Sequence, residues 1–183
     1  MQRELVERAM AGDRDAFAEL QRGSIDKLYA IARLILRDSD RAQDATQEAF
    51  IAAWRRVSGL RDPDAWDAWI RRLLVNACYE EARRAKRRFT AERRVEPIEG
   101  HAADPATATA DRDELARAFE ALPPEGRALI VLHYYLGLPM HETSQILGLP
   151  VGTVKSRLNR TKQQMRATIE ADARLPIHEG GTA

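Results

Sequence analysis

Between Leu138 and Met165 the chain reads LPMHETSQILGLPVGTVKSRLNRTKQQM, a pattern that fits two short helices joined by a tight turn. The first helix has apolar residues at Met140, Ile146 and Leu147 and should stop at Gly148, because glycine accepts the left-handed conformation that closes a helix. Pro150 then presets φ near the first position of a second helix, where its missing N–H costs nothing. Val154, Leu158, Met165 and Ile169 recur at 3.6-residue spacing and form that helix's buried side. Ser156, Asn159 and Gln163 lie opposite, flanked by Lys155, Arg160, Lys162 and Arg166, and no acid occurs from Val151 to Ile169. Such a crest suits the major groove of DNA, where amides and guanidiniums read base edges and lysines meet phosphates.

The rest of the chain repeats the helical period and offers no persuasive strand alternation. Leu5, Val6 and Ala9 mark a short helix over 2–10, and Asp13 or Asp15 can cap the next, which buries Phe17 and Leu20 and continues in an apolar stripe through Ile25, Leu28, Tyr29, Ala32, Ile35 and Leu36. Asp38-Ser39-Asp40 opens a third helix, about 41–57, expected to turn Ala45, Phe50, Ile51 and Trp54 inward. After the loop SGLRDPD, a long helix is expected from near Asp64 to about Arg88, with Trp66 either a core residue or a platform for an unstacked base. Residues 89–111 contain few large apolar side chains, so they read as a flexible linker. Leu115, Ala118, Phe119 and Leu122 then begin a second helical set that Leu129, Ile130, Leu132 and Tyr135 continue, and residues from Asp172 on read as a frayed tail. The expectation is an all-α protein of two small helical domains, 1–88 and 112–171, the second containing the helix-turn-helix.

Net charge is only +1, so the placement of the charges is more informative than their sum. From Arg71 to Arg94 there are nine bases against three acids, whereas Asp38 to Glu48 holds four acids and one base. The basic helix has more cations than its macrodipole can use, which points to phosphate contacts. The acidic face of Asp44, Gln47 and Glu48 would repel nucleic acid; it is either a solvated surface or a face for a protein partner.

Catalytic and metal chemistry find little support. A single cysteine, Cys78, excludes an internal disulfide and sits in an apolar run as a core residue would. His141-Glu142 begins like a zinc-protease motif, but Gln145 stands where the second histidine must be. No phosphate-binding glycine loop is present, and His101 has no ligand partners near it in sequence. No cofactor or metal is expected. The charged N-terminus and the lack of any long apolar window predict a cytoplasmic protein without membrane insertion.

Two blocks resemble one family. DATQEAFIAAWR with the downstream WDAWIRRLLVNACYEEARRAKRR is similar to region 2, and ALPPEGRALIVLHYYLGLPMHETSQILGLPVGTVKSRLNRTKQQMR to region 4, of the extracytoplasmic-function group of sigma-70 family sigma factors. The resemblance implies a subunit that binds core RNA polymerase and directs it to promoter DNA. It assigns Asp44, Gln47, Glu48 and Phe50 to a coiled-coil of the largest polymerase subunit. It places Leu60, Arg61, Trp69 and Asn76 on the melted minus-10 strand, with Arg83, Arg84 and Lys86 on its phosphates. Thr153, Lys155, Ser156, Arg157, Asn159 and Arg160 would read the minus-35 duplex. It also implies an anti-sigma factor as a partner. A stand-alone helix-turn-helix regulator is the competing reading, and it has no use for DATQEAF followed by a basic helix.

Overall fold

The computed structural model describes residues 1–92 and 110–172, and all regular structure among them is helical. Eight α-helices follow in order among these residues: α1 (Gln2–Met10), α2 (Arg14–Leu36), α3 (Ser39–Arg56), α4 (Trp66–Glu92), α5 (Ala110–Glu120), α6 (Pro124–Ile130), α7 (Met140–Leu147) and α8 (Val151–Asp172). The frayed tail beyond Asp172, His101 and most of the expected linker lie outside the described residues.

Local chemistry explains the boundaries. The Asp13 carboxylate accepts from the N–H groups of Asp15 and Ala16 at 2.9 and 3.1 Å and caps α2. The Ala16 N–H bond, and then a bond from the Arg8 guanidinium at 2.9 Å, hold its carboxyl below the usual range. Asp38 caps α3 through the Arg41 N–H at 3.0 Å. α2 ends on Arg37, which takes a left-handed φ of 59° and is the one non-glycine to do so among the described residues. α4 begins at Trp66, after a 3₁₀ turn over Pro63–Ala65 in which Asp62 accepts from the Asp64 N–H at 3.0 Å.

The N-terminal helices enclose most of the core. Trp66 is 1% exposed. Phe17 meets it edge-on at 6.1 Å and meets Trp54 at 5.1 Å, while Trp69 tilts onto it at 5.6 Å. The buried side of α4 carries Ile70, Leu74, Val75 and Cys78. Trp66 is therefore a core residue and unavailable as a stacking platform. Three other expectations change. Ile51 and Trp54 of α3 are 37% and 38% exposed, Ile25 of α2 lies outside the core, and Tyr135 is exposed.

The C-terminal helices have a small core of their own, Leu129 with Val154 and Leu158. Others of their apolar residues, Ala128, Val131, Leu132 and Ile146 among them, join the N-terminal core. Arg127 seals this seam. It is 9% exposed, and its guanidinium donates to the carbonyls of Ile35 (2.6 Å), Glu120 (3.2 Å) and Leu122 (2.6 Å). Beside it, Arg37 forms an ion pair with Glu120.

Trp66 makes the core's largest buried contribution, so Trp66→Ala should lower unfolding stability by about 3–5 kcal/mol. Urea unfolding followed by circular dichroism measures this; a loss below about 1 kcal/mol would place the ring outside the cooperative core.

Candidate nucleic-acid interface

The helix-turn-helix is built from the turn outward. α7 ends where Gly148 adopts φ 64°, and the Leu149 N–H returns to the Ser144 carbonyl at 3.1 Å. The Ser144 hydroxyl donates to the Leu149 carbonyl at 2.6 Å and fixes the turn. Pro150 immediately precedes the first residue of α8, and its carbonyl accepts from the Val154 N–H at 3.0 Å. Val154, Leu158 and Thr161 are the buried side of α8, while Met165 and Ile169 are only half-buried. Thr161 was not evident from periodicity. Its side chain lies 3.4 Å from where a Cβ on Gly126 would stand, which marks a close approach of α6 and α8.

Lys155, Ser156, Arg157, Asn159 and Arg160 are exposed on α8, and Thr153 is half-buried at its start. The Ser156 hydroxyl donates to the Thr153 carbonyl at 3.0 Å, which leaves its oxygen free to accept. This is the geometry a major-groove reader needs: an anchored inner side and an unobstructed polar crest.

On α4 and the loop before it, Arg61, Asn76, Arg83, Arg84 and Lys86 are exposed and Trp69 is half-buried. Two of the cations have local partners. Arg83 pairs with Glu80 at 2.5 Å, and Arg84 pairs at 2.6 Å with Glu81, whose carboxylate is buried. Leu60, expected at the melted strand, has its side chain buried and anchors the loop to the core. The N-terminus braces the same loop, Arg3 by an ion pair with Asp64 and Gln2 by donating to Asp67 at 3.0 Å.

Asp44, Gln47 and Glu48 form an exposed stripe along α3 that Ile51 and Trp54 extend. Phe50, expected on this surface, is 4% exposed and belongs to the core. Helix geometry gives the reason: six residues beyond Asp44 is about 240° of rotation, so the ring turns away from the stripe that Asp44, Glu48 and Ile51 share.

Other chemistry is not assembled. Among the described residues no group of three His, Cys, Asp or Glu could hold a metal ion, and no helix is long and apolar enough to cross a membrane. Burial pushes the Cys78 thiol up to about 12. Burial likewise raises the phenol of Tyr79, the next residue of α4.

Comparison with known proteins decides between a stand-alone regulator and a polymerase subunit. Residues 22–88 match the model for Sigma-70 region 2, and residues 112–165 match the model for Sigma-70, region 4. The ECF RNA polymerase sigma factor SigM of Mycobacterium tuberculosis is 38% identical over 163 residues, covering 88% of this chain and 81% of that protein. The chain belongs to the extracytoplasmic-function sigma factors of the sigma-70 family. SigW of Bacillus subtilis is 29% identical, with 88% and 92% of the two chains covered. Two solved structures share the fold of this sigma factor. CnrH in complex with the cytosolic domain of CnrY matches with a TM-score of 0.64 at 27% identity, covering 93% of this chain and 98% of that one. RpoE with the anti-sigma factor NepR from Bartonella quintana matches at 0.67 and 25% identity, covering 85% and 98%. Binding core RNA polymerase and directing it to promoters is thus the activity to which this geometry must be referred.

Because the thiolate is the reactive form, Cys78 should resist alkylation by iodoacetamide at pH 8 in the folded protein and react fully in urea. Rapid labelling of the native protein would contradict its placement.

Proposed function

We propose a division of labour among three surfaces of this sigma factor. The exposed stripe of α3, Asp44, Gln47 and Glu48 with Ile51 and Trp54, docks on a coiled-coil of the largest polymerase subunit, and Phe50 supports it from beneath. The loop at Arg61 and the start of α4, with Trp69 and Asn76, takes the melted minus-10 strand over the anchor of Leu60, while Arg83, Arg84 and Lys86 meet phosphates. Thr153, Lys155, Ser156, Arg157, Asn159 and Arg160 on α8 read the minus-35 duplex. The observation that carries this reading is the placement of exposed charge: Asp44 and Glu48 lie together in the middle of α3, whereas bases cluster toward the end of α4 and along α8. An acidic face repels DNA and suits a protein partner, and the reverse holds for the basic faces.

On this reading the protein performs no chemistry of its own and acts in the cytoplasm, where polymerase supplies catalysis. Its domains are 1–88 and 112–171, joined through 89–111. An anti-sigma factor is a further partner, as NepR is for RpoE.

Run-off transcription with purified core polymerase on genomic promoter fragments tests the reading as a whole; tight binding to duplex DNA without any change in start sites would sink it. Glu48→Lys should weaken core binding at least tenfold in a fluorescence-anisotropy titration and leave binding to a minus-35 duplex unchanged. Asn159→Ala should do the opposite, weakening recognition of the upstream element by about 1–3 kcal/mol, the magnitude of a lost base contact. Lys155→Ala, if it meets a phosphate, should also reduce the slope of log affinity against log salt by about 1. Loss of core binding in either α8 variant would point to a folding defect instead.

A further inference from the structure

Between Leu60 and Trp66, both buried, the loop that carries Arg61 has no buried residue of its own. From Arg61 to Asp67 the sequence RDPDAWD sets one base among three acids. Two anchors are internal to it: Leu60 enters the core, and the Asp62 carboxylate accepts from the Asp64 N–H at 3.0 Å. The others come from α1. That helix is fixed to the body by Val6 and Ala9, both fully buried, and packs on the 3₁₀ turns at either side of the loop, Val57–Gly59 and Pro63–Ala65.

Two neighbouring residues in the first turn of α1 then reach across. Arg3 is a bridge: its Nε donates to Glu7 at 3.0 Å, one turn along the same helix, and its Nη1 pairs with Asp64. Because the guanidinium is a planar fork, fixing one nitrogen on Glu7 presets the direction of the other. Gln2 donates through Nε2 to Asp67 at 3.0 Å. Asp64 and Asp67 are about one helical turn apart, so the end of the loop and the start of α4 are held at two points. Helix stability does not explain Arg3, since a cation in the first turn opposes the macrodipole. Nor does fold stability, because both side chains of the Arg3–Asp64 pair are more than half exposed and such pairs contribute little. What the contacts supply is direction. Asp64 and Asp67 are engaged by α1 and Asp62 by the adjacent backbone, while Arg61 has no ion pair among the described residues.

We infer that Gln2 and Arg3 are positioning residues for capture of the minus-10 strand: they hold the segment from Asp62 to Asp67 against α1, so that Arg61 meets the melted strand in one preset arrangement. The inference rests on the assignment of this loop to the minus-10 strand made above. Neither residue touches DNA in this scheme. A preset loop binds more tightly because less chain must be ordered when the strand arrives.

Arg3→Met and Asp64→Ala, alone and combined, test the tie in reconstituted holoenzyme. The probe is a fluorescein-labelled single strand carrying the non-template minus-10 sequence of a promoter mapped by run-off transcription, titrated by anisotropy. Each single change should weaken capture of the strand at least threefold while core binding stays within twofold of wild type. The double variant should lose no more than the weaker-binding single variant, because both changes break the same tie. Arg3→Lys, which keeps the charge and a donor, should recover most of the loss. Tighter capture by Asp64→Ala would mean that this acid only repels DNA, and unchanged capture by Arg3→Met or additive losses in the double variant would mean that the tie does not act; each would overturn the proposal. Core binding that falls in step with capture would also overturn it, by making the tie a support of the whole domain. Wild-type holoenzyme that captures this strand no better than a scrambled one would count against the minus-10 assignment itself, and the inference would fall with it.

Discussion

A helix end leaves carbonyls without partners, and where two such ends are buried together something must donate to them. Here that donor is Arg127. It satisfies Ile35 in the last turn of α2, Glu120 at the end of α5 and Leu122 in the loop that follows. A guanidinium suits the task because its donors are fixed in a planar fork and its charge complements the negative ends of both helices. Burial, and secondarily the nearby charge of Arg37, depresses its pKa from the ordinary arginine value. No buried side-chain nitrogen or oxygen among the described residues lacks a hydrogen-bond partner. The placement of α6 against α2, and through it the attitude of the helix-turn-helix toward α4, follows from this one side chain.

α4 has to serve two masters. Trp66, Ile70, Leu74 and Cys78 commit one side to the core, and Ala82, Ala85, Lys86 and Phe89 border a groove of about 310 Å³ shared with Leu36, Arg41, Pro124 and Arg127. Asn76 and Arg83 remain on the surface. Its cations are therefore not equivalent. Arg84 neutralises the buried Glu81, so its replacement would leave a carboxylate buried without its partner, whereas Arg83 is held only by an exposed pair worth little.

Much of the fold was legible because it is written in local chemistry. Asp13 and Asp38 cap where side-chain oxygens precede an amphipathic run, and Gly148 ends α7 in the left-handed conformation that its residue type anticipates. The errors have a common source, the assumption that a large apolar residue on a helix faces inward. On α3 the small residues Ala42, Ala45, Ala49 and Ala53 are buried along with Phe50, which leaves Ile51 and Trp54 on the outer face. After Ile130 the chain makes a π turn through Val131–Tyr135, in which Leu136 N–H bonds the Val131 carbonyl at 2.9 Å. That extra residue per turn shifts the facing of everything after it, and Tyr134 and Tyr135 become exposed. Arg127 was invisible for a different reason. Its partners are main-chain carbonyls, one of them 92 residues away, and no pattern of residue types records where two helix ends converge.

The polar and apolar parts of the seam contribute differently to its stability. Removing the Arg127 side chain from the folded chain would leave three carbonyls buried without donors, at about 1–3 kcal/mol for each group. Separating the helices is different, because the guanidinium and the Ile35 carbonyl are both returned to water and the loss is only the net value of the bond, about 0.5–1.5 kcal/mol. The half-buried Arg37–Glu120 pair adds about 1 kcal/mol at most. The apolar face of Ala128, Val131, Leu132 and Ile146, with Phe119, Leu136, Leu138 and Leu147 packed against the same core, therefore contributes more than the polar contacts. The polar part of the seam then specifies which arrangement of the helices forms, while the apolar part supplies most of the energy that holds it.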